Sequence, residues 1–187
     1  MTRERSREGS PRLTVRGSAE GLRFFRMALS ADLKSNPSDL RSRALLAFFR
    51  FTQLAMGDLR SPRKLSYPIV ALYRFFSEVI LGVELRPKVH VGPGLAVHHG
   101  YGLVVNNDAT IGSGVTLRHG VTIGHKTAGG GSPIIEDGVE FGANSCAIGE
   151  IRIGYGSKIG PGVVVTRSVE PCTTLYPPSP VNRQEAR

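Results

Sequence analysis

The sequence predicts a parallel β-solenoid preceded by a short helical region. A period of six residues runs from Val105 to Val165, and an apolar residue occupies every step except position 129, which is a glycine. Glycine often follows the periodic residue, and 23 of the 187 residues are glycine, well above the usual share of about 7%. A period of six fits neither a helix nor an alternating strand. It predicts short strands joined by tight turns, each pointing one apolar side chain into a stacked core.

The first part of the chain is basic. Residues 1–64 contain 14 Lys and Arg against 6 Asp and Glu, so they hold most of the net charge of +9. A basic segment can contact nucleic acid or anionic lipid. No helix-turn-helix, zinc-finger or base-stacking motif supports nucleic acid. We therefore predict a basic, disordered arm over residues 1–37 and no nucleic-acid partner.

Helical periodicity predicts a helical region over residues 38–83. Ser38 is the expected N-cap of a helix from 39 to 56, and Gly57 is expected to end it. A second helix is expected from 66 to 81, with Pro68 in its first turn. The apolar stripes of both helices predict packing against the fold or a neighbouring subunit. A weak contact with a membrane surface is the alternative.

Cysteine content and hydropathy predict a cytoplasmic location, with the inner face of the membrane as the alternative. Cys146 and Cys172 form no CxxC pair, which argues against a disulfide framework. The sequence has no run of 18 apolar residues and no apolar segment behind its charged N-terminus. The histidines show no converging ligand set, so no metal site is predicted.

The periodic segment has two irregularities. A shorter series, Val91, Val97 and Leu103, shares the period but is offset by two residues, and we place the offset within 100–105. The second is a glycine-rich interruption at 125–133, which we predict to be a projecting loop. The resulting boundaries are a solenoid over 84–170 and a tail over 171–187.

The repeat and its motifs resemble the hexapeptide-repeat acyltransferases. Within them they resemble the serine acetyltransferase group, and its colanic acid acetyltransferase branch in particular. The matching runs are His98-His-Gly-Tyr-Gly-Leu-Val-Val105, Arg118-His-Gly-Val-Thr-Ile-Gly124 and Lys158-Ile-Gly-Pro-Gly-Val-Val-Val165. The resemblance covers roughly residues 68–170. It implies a left-handed parallel β-helix with three strands per coil, somewhat over four coils, a homotrimer and acetyl-CoA as donor.

The same resemblance assigns catalytic and substrate-binding residues. His99 matches the catalytic base, whose neutral imidazole can remove a hydroxyl proton near pH 7. Glu84 matches the carboxylate that orients this ring, although the serine enzymes usually carry Asp there. His98, His119 and Ser132 are expected at the acceptor. His119 is expected one coil above His99, either near the acceptor or as a stacked surface residue.

Positions for the pantetheine arm of acetyl-CoA follow from the resemblance as well, and small residues there allow close approach of an extended chain. The matching residues are Gly124, His125, Gly142, Ala143, Gly160, Pro161 and Gly162.

The acceptor is expected to be a sugar hydroxyl. Serine acetyltransferases place Arg and His before the proline that ends the loop, where this chain has Gly131 and Ser132. These two residues cannot form a bidentate clamp for an amino-acid carboxylate. The sequence therefore predicts an acetyltransferase for a sugar or polysaccharide, with serine O-acetylation as the alternative enzyme. A solenoid that only binds or scaffolds is the non-enzymatic alternative.

Overall fold

The computed structural model describes residues 18–59 and 61–177. Its helical part consists of α1 Ser18–Ser35, α2 Leu40–Met56, a 3-10 turn Lys64–Ser66, α3 Tyr67–Arg74 and a π-helical turn Phe75–Ile80 that continues α3. None of the helices in the described ranges is long and apolar enough to cross a membrane.

The described chain then forms fourteen short strands, all paired in parallel, as predicted. Paired strands are three places apart in the chain, except for β12 and β14, and the pairing produces three sheets. Sheet A has the order β1-β4-β7-β10-β13, sheet B β11-β8-β5-β2 and sheet C β14-β12-β9-β6-β3. The strands are β1 Glu84–Leu85, β2 His90–Val91, β3 Ala96–His98, β4 Val104–Val105, β5 Thr110–Ile111, β6 Thr116–Arg118, β7 Thr122–Gly124, β8 Ile134–Ile135, β9 Glu140–Phe141, β10 Cys146–Ile148, β11 Arg152–Ile153, β12 Lys158–Ile159, β13 Val164–Val165 and β14 Thr174–Leu175.

The interior of the solenoid is filled by the residues of the six-residue period. All eight members of the predicted inward series that follow are at most 2% exposed: Val105, Ile111, Leu117, Ile123, Phe141, Ala147, Ile153 and Ile159. A second buried column lies two residues before each strand position, as at Leu95, Val115 and Val139. Most strands and their preceding turns thus supply one apolar side chain each to a continuous core, while Ser145 and Ser157 take the second-column positions before β10 and β12.

The two-residue offset lies between β3 and β4, in the region that the sequence indicated. Glu84 pairs with Val104, twenty positions later, whereas Cys146 pairs with Val164, eighteen positions later. The two extra residues fall between Val97 and Val105. Leu103 is therefore not the next strand residue after Val97, as its spacing suggested, but belongs to the second buried column.

Side chains from the helices, rather than a further strand, cover the N-terminal edge of the solenoid. The Tyr73 hydroxyl donates to the carbonyl oxygen of Leu85 at 2.6 Å. The Gln53 amide donates to the carbonyls of Pro87 and Val89 at 3.2 and 3.0 Å. Because buried backbone groups need partners, these contacts fix the helices onto the first coil.

A buried ion pair continues this edge. Asp32 of α1 and Arg50 of α2 are joined at 2.8 Å, and both side chains are fully buried. Arg50 also donates to the carbonyls of Val91 and Gly92, while Asp32 accepts from the N–H groups of Gly94 and Leu95.

Helix α1 shows that the prediction of a disordered arm over 1–37 was wrong for residues 18–35. Positions Gly21, Ala28 and Asp32 recur at helical spacing and are buried, but the high charge of the segment hid this face. The predicted cap was also displaced by one residue. Asp39, not Ser38, caps α2, since its carboxylate accepts from the backbone N–H of Ser42 at 3.0 Å. Residues 1–17 of the predicted arm lie outside the described ranges.

Two other boundaries differ from the prediction. The single helix expected over 66–81 begins as a 3-10 turn at Lys64 and changes to π-helical hydrogen bonding at Phe75. The tail expected from residue 171 begins with β14, which pairs with β12 and adds to the solenoid. The six-residue phase is lost at Pro171, so the sequence did not predict this strand. Residues 178–187 of that tail lie outside the described ranges.

Candidate active site

The turn from β3 to β4 presents His99 to solvent. It contains the two extra residues of the first coil and has the sequence His98-His-Gly-Tyr-Gly102. A Cβ at Gly100 would lie 2.6 Å from Cγ1 of Val97, and Gly102 has a φ of 70°, so both glycines are required by the turn. His99 itself has a φ of 55°, which is rare for a residue with a side chain. The turn leaves His99 exposed and His98 half-buried.

A groove lies beside this turn, and its other wall is the junction between α1 and α2. The junction contributes residues 36–42, the turn contributes residues 98–101, and Leu81, Val83 and Val97 also line the groove. An exposed imidazole here faces a cleft that offers hydroxyl, carboxylate and guanidinium groups. Such a cleft can bind a polar molecule next to a proton acceptor.

Asp39 stands in the groove wall and was not predicted as a site residue. Partial burial works to raise the pKa of its carboxyl, but hydrogen bonds from the backbone and hydroxyl of Ser42 and from the backbone N–H groups of Arg41 and His99 outweigh it, so the pKa is lowered. Its role as the N-cap of α2 could have indicated Asp39, but the sequence led us to expect Ser38 as the cap.

Glu84 is close to the His99 turn in the fold but is paired elsewhere. It lies on β1, which pairs in sheet A with β4, the strand that follows the His99 turn. Its carboxylate forms an ion pair with Arg86 at 2.9 Å, and Arg86 also contacts Glu78 at 3.2 Å. Within the described chain no hydrogen bond joins Glu84 to His99. The contact expected between the two is therefore not formed in this structure.

His119 lies one coil above His99, in the position that the spacing predicted. Strand β3 pairs with β6 so that His98 is opposite Arg118, and His99 and His119 are the next residues on each chain segment. The carbonyl of His119 accepts from the N–H of Asn144, one coil further on. Arg118, which the sequence analysis did not select, is exposed beside the same turn.

Polar contacts across its base hold the loop over residues 125–133. The Ser132 hydroxyl lies 3.2 Å from Oδ1 of Asn106 and 3.1 Å from Nδ1 of His125. Nε2 of His125 lies 3.6 Å from Oδ2 of Asp108. Ser132 and His125 thus bind each other and the turn after β4, which fixes the end of the loop.

The predicted cofactor glycines differ in what the fold requires of them. A Cβ at Gly142 would lie 2.5 Å from the nitrogen of Pro161, and one at Gly160 would lie 2.7 Å from the carbonyl oxygen of Leu175. Coil stacking therefore explains both residues, and Gly162 has a φ of 70°. Gly124 has no left-handed φ, and no atom lies within 4 Å of a Cβ placed on it. The fold leaves open space beside Gly124 that an extended ligand chain can use.

Gly124→Ala is expected to leave the thermal midpoint of unfolding unchanged but to raise KM for acetyl-CoA about tenfold, the equivalent of about 1.4 kcal/mol. The added methyl group meets no protein atom, so only a ligand can be obstructed. Gly142→Ala serves as the contrast, because its methyl group would meet backbone and should lower the midpoint. An unchanged KM for acetyl-CoA in Gly124→Ala would show that the pantetheine arm does not bind beside this residue.

Apart from Glu84, which lies on β1 within sheet A, the predicted site residues fall into two groups at opposite borders of this sheet. The turns that precede sheet A hold His98, His99, His119, Gly142, Ala143, Gly160, Pro161 and Gly162. Gly124, His125 and Ser132 lie where the chain leaves sheet A. The outward face between these borders includes Val104, Cys146 and Val164 and carries no charge from β4, β7, β10 or β13. A single chain therefore presents the two groups apart.

Comparison with protein families identifies the repeat. Residues 134–167 match the family described as hexapeptide repeat of succinyl-transferase. The matched segment spans β8 to β13 of the solenoid. The resemblance noted in the sequence is confirmed by individual relatives. The chain is 40% identical over 103 residues to the putative colanic acid biosynthesis acetyltransferase WcaB of Escherichia coli K12, which covers 54% of this chain and 64% of that protein.

Serine acetyltransferases are similar in both sequence and structure. The enzyme of Mycobacterium tuberculosis is 36% identical over 102 residues, covering 54% of this chain and 44% of its own length. A Neisseria gonorrhoeae serine acetyltransferase in complex with serine superimposes with a TM-score of 0.67 at 28% identity, covering 86% of this chain and 68% of that one. The soybean apoenzyme gives 0.70 at 30% identity, covering 81% and 66%. The chain spans less than two thirds of the length of the relatives compared by sequence.

Proposed function

We propose that this protein is an acetyl-CoA-dependent O-acetyltransferase that modifies a hydroxyl group of a sugar or polysaccharide. The observation that carries the proposal is His99, exposed on a glycine-dependent turn that opens onto a polar groove. Similarity to named acetyltransferases over the solenoid supports the same activity. A solenoid that serves only as a scaffold would not need an imidazole in this position.

The proposed reaction is a direct transfer. The imidazole of His99 removes the proton of the acceptor hydroxyl while its oxygen attacks the thioester carbonyl carbon. The carbon–sulfur bond then breaks, the oxygen keeps the acetyl group, and the CoA sulfur takes up the proton from the imidazolium. Glu84 would stabilise that imidazolium if its carboxylate turned from Arg86 toward the ring.

A homotrimer with active sites between subunits fits the distribution of the site residues. His99 and the loop over 125–133 lie at opposite borders of sheet A, so a second copy can bring its loop to the histidine of the first. The surface between them carries no charge from β4, β7, β10 or β13. Helix α3 and the π-helical turn that continues it add exposed apolar side chains at Leu72, Phe75 and Val79. We assign this face of α3 to a second copy of the chain rather than to a membrane. Closed rings of identical subunits are common among soluble proteins.

Mixing two inactive variants tests the shared site. One variant is His99→Ala, and in the other residues 126–131 are shortened to two glycines. Each is expected to lose transfer activity, because every site in its homotrimer lacks either the histidine or the loop. Co-expressed in one cell, they are expected to regain measurable activity through sites built from an intact histidine and an intact loop. The same variants purified separately and mixed without subunit exchange provide the control. No regain in co-expressed hetero-trimers would place histidine and loop in one subunit.

The acceptor distinguishes the two candidate enzymes. Gly131 and Ser132 supply no cation for a carboxylate, which favours a sugar, whereas the structural similarity to a serine-bound serine acetyltransferase favours serine. We expect thiol release with sugars and oligosaccharides and little with L-serine, measured by steady-state kinetics over an acceptor panel. Saturable serine turnover without sugar activity would establish the serine enzyme, and no thiol release with any acceptor would favour the scaffold.

A carboxylate clamp should improve serine as an acceptor if Gly131 and Ser132 are the cause of its rejection. A side chain at Gly131 would meet Cβ of Glu150 at 2.6 Å. The clamp Gly131→Arg/Ser132→His should therefore be built together with Glu150→Gly, which removes the obstructing Cβ, with Glu150→Gly alone as the control. We expect a lower KM for serine in the triple variant only, since an Arg–carboxylate bond contributes roughly 1.5–3 kcal/mol.

A further inference from the structure

A hydroxyl, an imidazole and a carboxylate lie in series at the base of the loop over 125–133. Oγ of Ser132 lies 3.1 Å from Nδ1 of His125, and Nε2 of the same ring lies 3.6 Å from Oδ2 of Asp108. A serine beside a histidine whose other nitrogen faces an acidic residue is the arrangement that activates a serine nucleophile. The reaction proposed for His99 assigns no chemical step to any of the three.

The carboxylate of Asp108 favours one of the two neutral forms of His125. A carboxylate only accepts hydrogen bonds, so a proton on Nε2 is stabilised by Asp108, and Nδ1 is then free to accept from the Ser132 hydroxyl. The other form would place its proton on Nδ1, where the carbonyl oxygen of Gly131 lies 3.4 Å away, and would leave two acceptors facing each other at Nε2. Contacts of a catalytic histidine are often looser before substrate binds, so 3.6 Å is compatible with this role.

Asn106 joins the acid and the nucleophile. Its Oδ1 accepts from the backbone N–H of Asp108 at 2.8 Å and lies 3.2 Å from Oγ of Ser132. The residue after the serine, Pro133, is buried, and its carbonyl accepts from the first N–H of β5 at 3.1 Å. Ser132 is therefore held at the start of β8. The serine proton has two acceptors, the amide oxygen and the imidazole, and only the imidazole is basic enough to remove it.

A ligand can reach this group of side chains. Ser132 and His125 are half-buried, and Asp108 is exposed. Gly124 directly precedes the histidine, and no atom lies within 4 Å of a Cβ placed on it. A pantetheine arm bound in that space brings its thioester toward the Ser132 hydroxyl.

We propose that Ser132, His125 and Asp108 form a second reactive site, which takes an acyl group from a thioester and hydrolyses it. The site is complete within one chain and differs from the His99 groove in using a covalent intermediate. Acetyl-CoA as the donor rests on the proposed function, whereas the arrangement of the three side chains does not.

The reaction has two steps. Nδ1 of His125 removes the Ser132 proton while Oγ attacks the carbonyl carbon, the carbon–sulfur bond breaks, and the thiolate takes the proton from the imidazolium. The same imidazole then removes a proton from water, whose oxygen attacks the acetyl-serine. The ester bond breaks, acetate leaves, and the serine oxygen takes the proton back. The net reaction consumes one acetyl-CoA and one water and yields CoA and acetate.

Thiol release from acetyl-CoA without any acceptor tests the site. His125→Ala is expected to lower this rate about 10²-fold, the lower end of the usual cost of losing a general base, and Ser132→Ala at least as much. Asp108→Asn should lower it less. Thr127→Ala is the matched control, because this residue is exposed on the same loop and no hydrogen bond in the described chain joins it to a histidine. Thermal midpoints verify that the variants are folded.

His99→Ala distinguishes this site from leakage at the transfer site. It should keep the acceptor-free rate, because His99 does not act on Ser132. A loss of that rate in His99→Ala but not in Ser132→Ala would show that water replaces the acceptor in the His99 groove, and this would overturn the proposal.

A fluorophosphonate probe gives a readout that does not depend on acetyl-CoA, since it reacts with serines that a histidine activates. Peptide mass spectrometry of the full chain is expected to find the label on Ser132, to lose it in His125→Ala and to keep it in Thr127→Ala. An unlabelled Ser132 in the folded wild type would overturn the proposal. A labelled Ser132 without any turnover of acetyl-CoA would support the reactive serine while the proposed function fails.

Discussion

His99→Ala is expected to reduce turnover by about 10²–10⁴-fold, the usual cost of losing a general base. Alanine can adopt the turn no better than histidine, but the side chain is exposed and has no packing role, so the solenoid should remain folded. The measurement is initial thiol release at saturating acetyl-CoA with the best acceptor of the panel. Circular dichroism and the thermal midpoint verify the fold.

Two further variants are compared with His99→Ala to interpret its loss of turnover. His90→Ala removes a histidine from β2 in sheet B, away from the groove, and should keep its turnover. Glu84→Gln should slow transfer less than His99→Ala, because the carboxylate only orients and stabilises the imidazole. Near wild-type turnover in folded His99→Ala would show that the base lies elsewhere, and His119, one coil above, would be tested next.

The core of the solenoid could be predicted from sequence because each coil repeats one simple requirement. Each of the three strands in a coil must point one side chain inward. Ile111 and Ile153 therefore occupy the same phase of the repeat although 42 residues separate them. The same regularity placed His119 above His99. It failed at Leu103, whose spacing from Val97 suggested a strand position, and at Pro171, because the periodic pattern does not say how many residues a corner contains.

The docking of the helices could not be predicted from hydrophobicity. The buried face of α2 includes Ser42, Arg50 and Thr52, while Leu40 is 78% exposed and Phe51 is 49% exposed. Apolar periodicity therefore describes the buried face only in part, although Leu45, Leu46, Phe49 and Met56 are buried as well. Polar residues are buried here because they bind backbone groups on the edge of the first coil that no strand pairs. These unpaired groups can be recognised only in the folded solenoid.

The candidate site was predicted residue by residue but not as an arrangement. Sequence spacing suggested that Glu84 orients His99, yet Glu84 binds Arg86, a neighbour on its own strand segment. The loop residues lie across sheet A from the histidine, which a one-dimensional pattern cannot express. Asp39 was missed because His99, which lines the same groove, is 60 residues away in sequence.

Arg50→Leu is expected to be the most destabilising single substitution considered, lowering the free energy of unfolding by about 3–5 kcal/mol. It leaves the Asp32 carboxylate buried without its cation, and it removes the donors to the carbonyls of Val91 and Gly92. Urea denaturation at constant protein concentration measures the change. Arg74→Leu is the matched control, because its ion pair with Glu78 is exposed and worth at most about 1 kcal/mol.

Replacing both members of the buried pair separates its two roles. Where a buried ion pair makes no other hydrogen bonds, replacing both residues by apolar ones often leaves the free energy of unfolding unchanged or raises it. Here Asp32 accepts from the N–H groups of Gly94 and Leu95, and Arg50 serves two carbonyls, so four backbone groups depend on the pair. Asp32→Leu/Arg50→Met should therefore remain clearly less stable than the wild type, because each buried group left unpaired costs about 1–3 kcal/mol. Wild-type stability in the double variant would show that the first coil does not need these side chains to complete its edge.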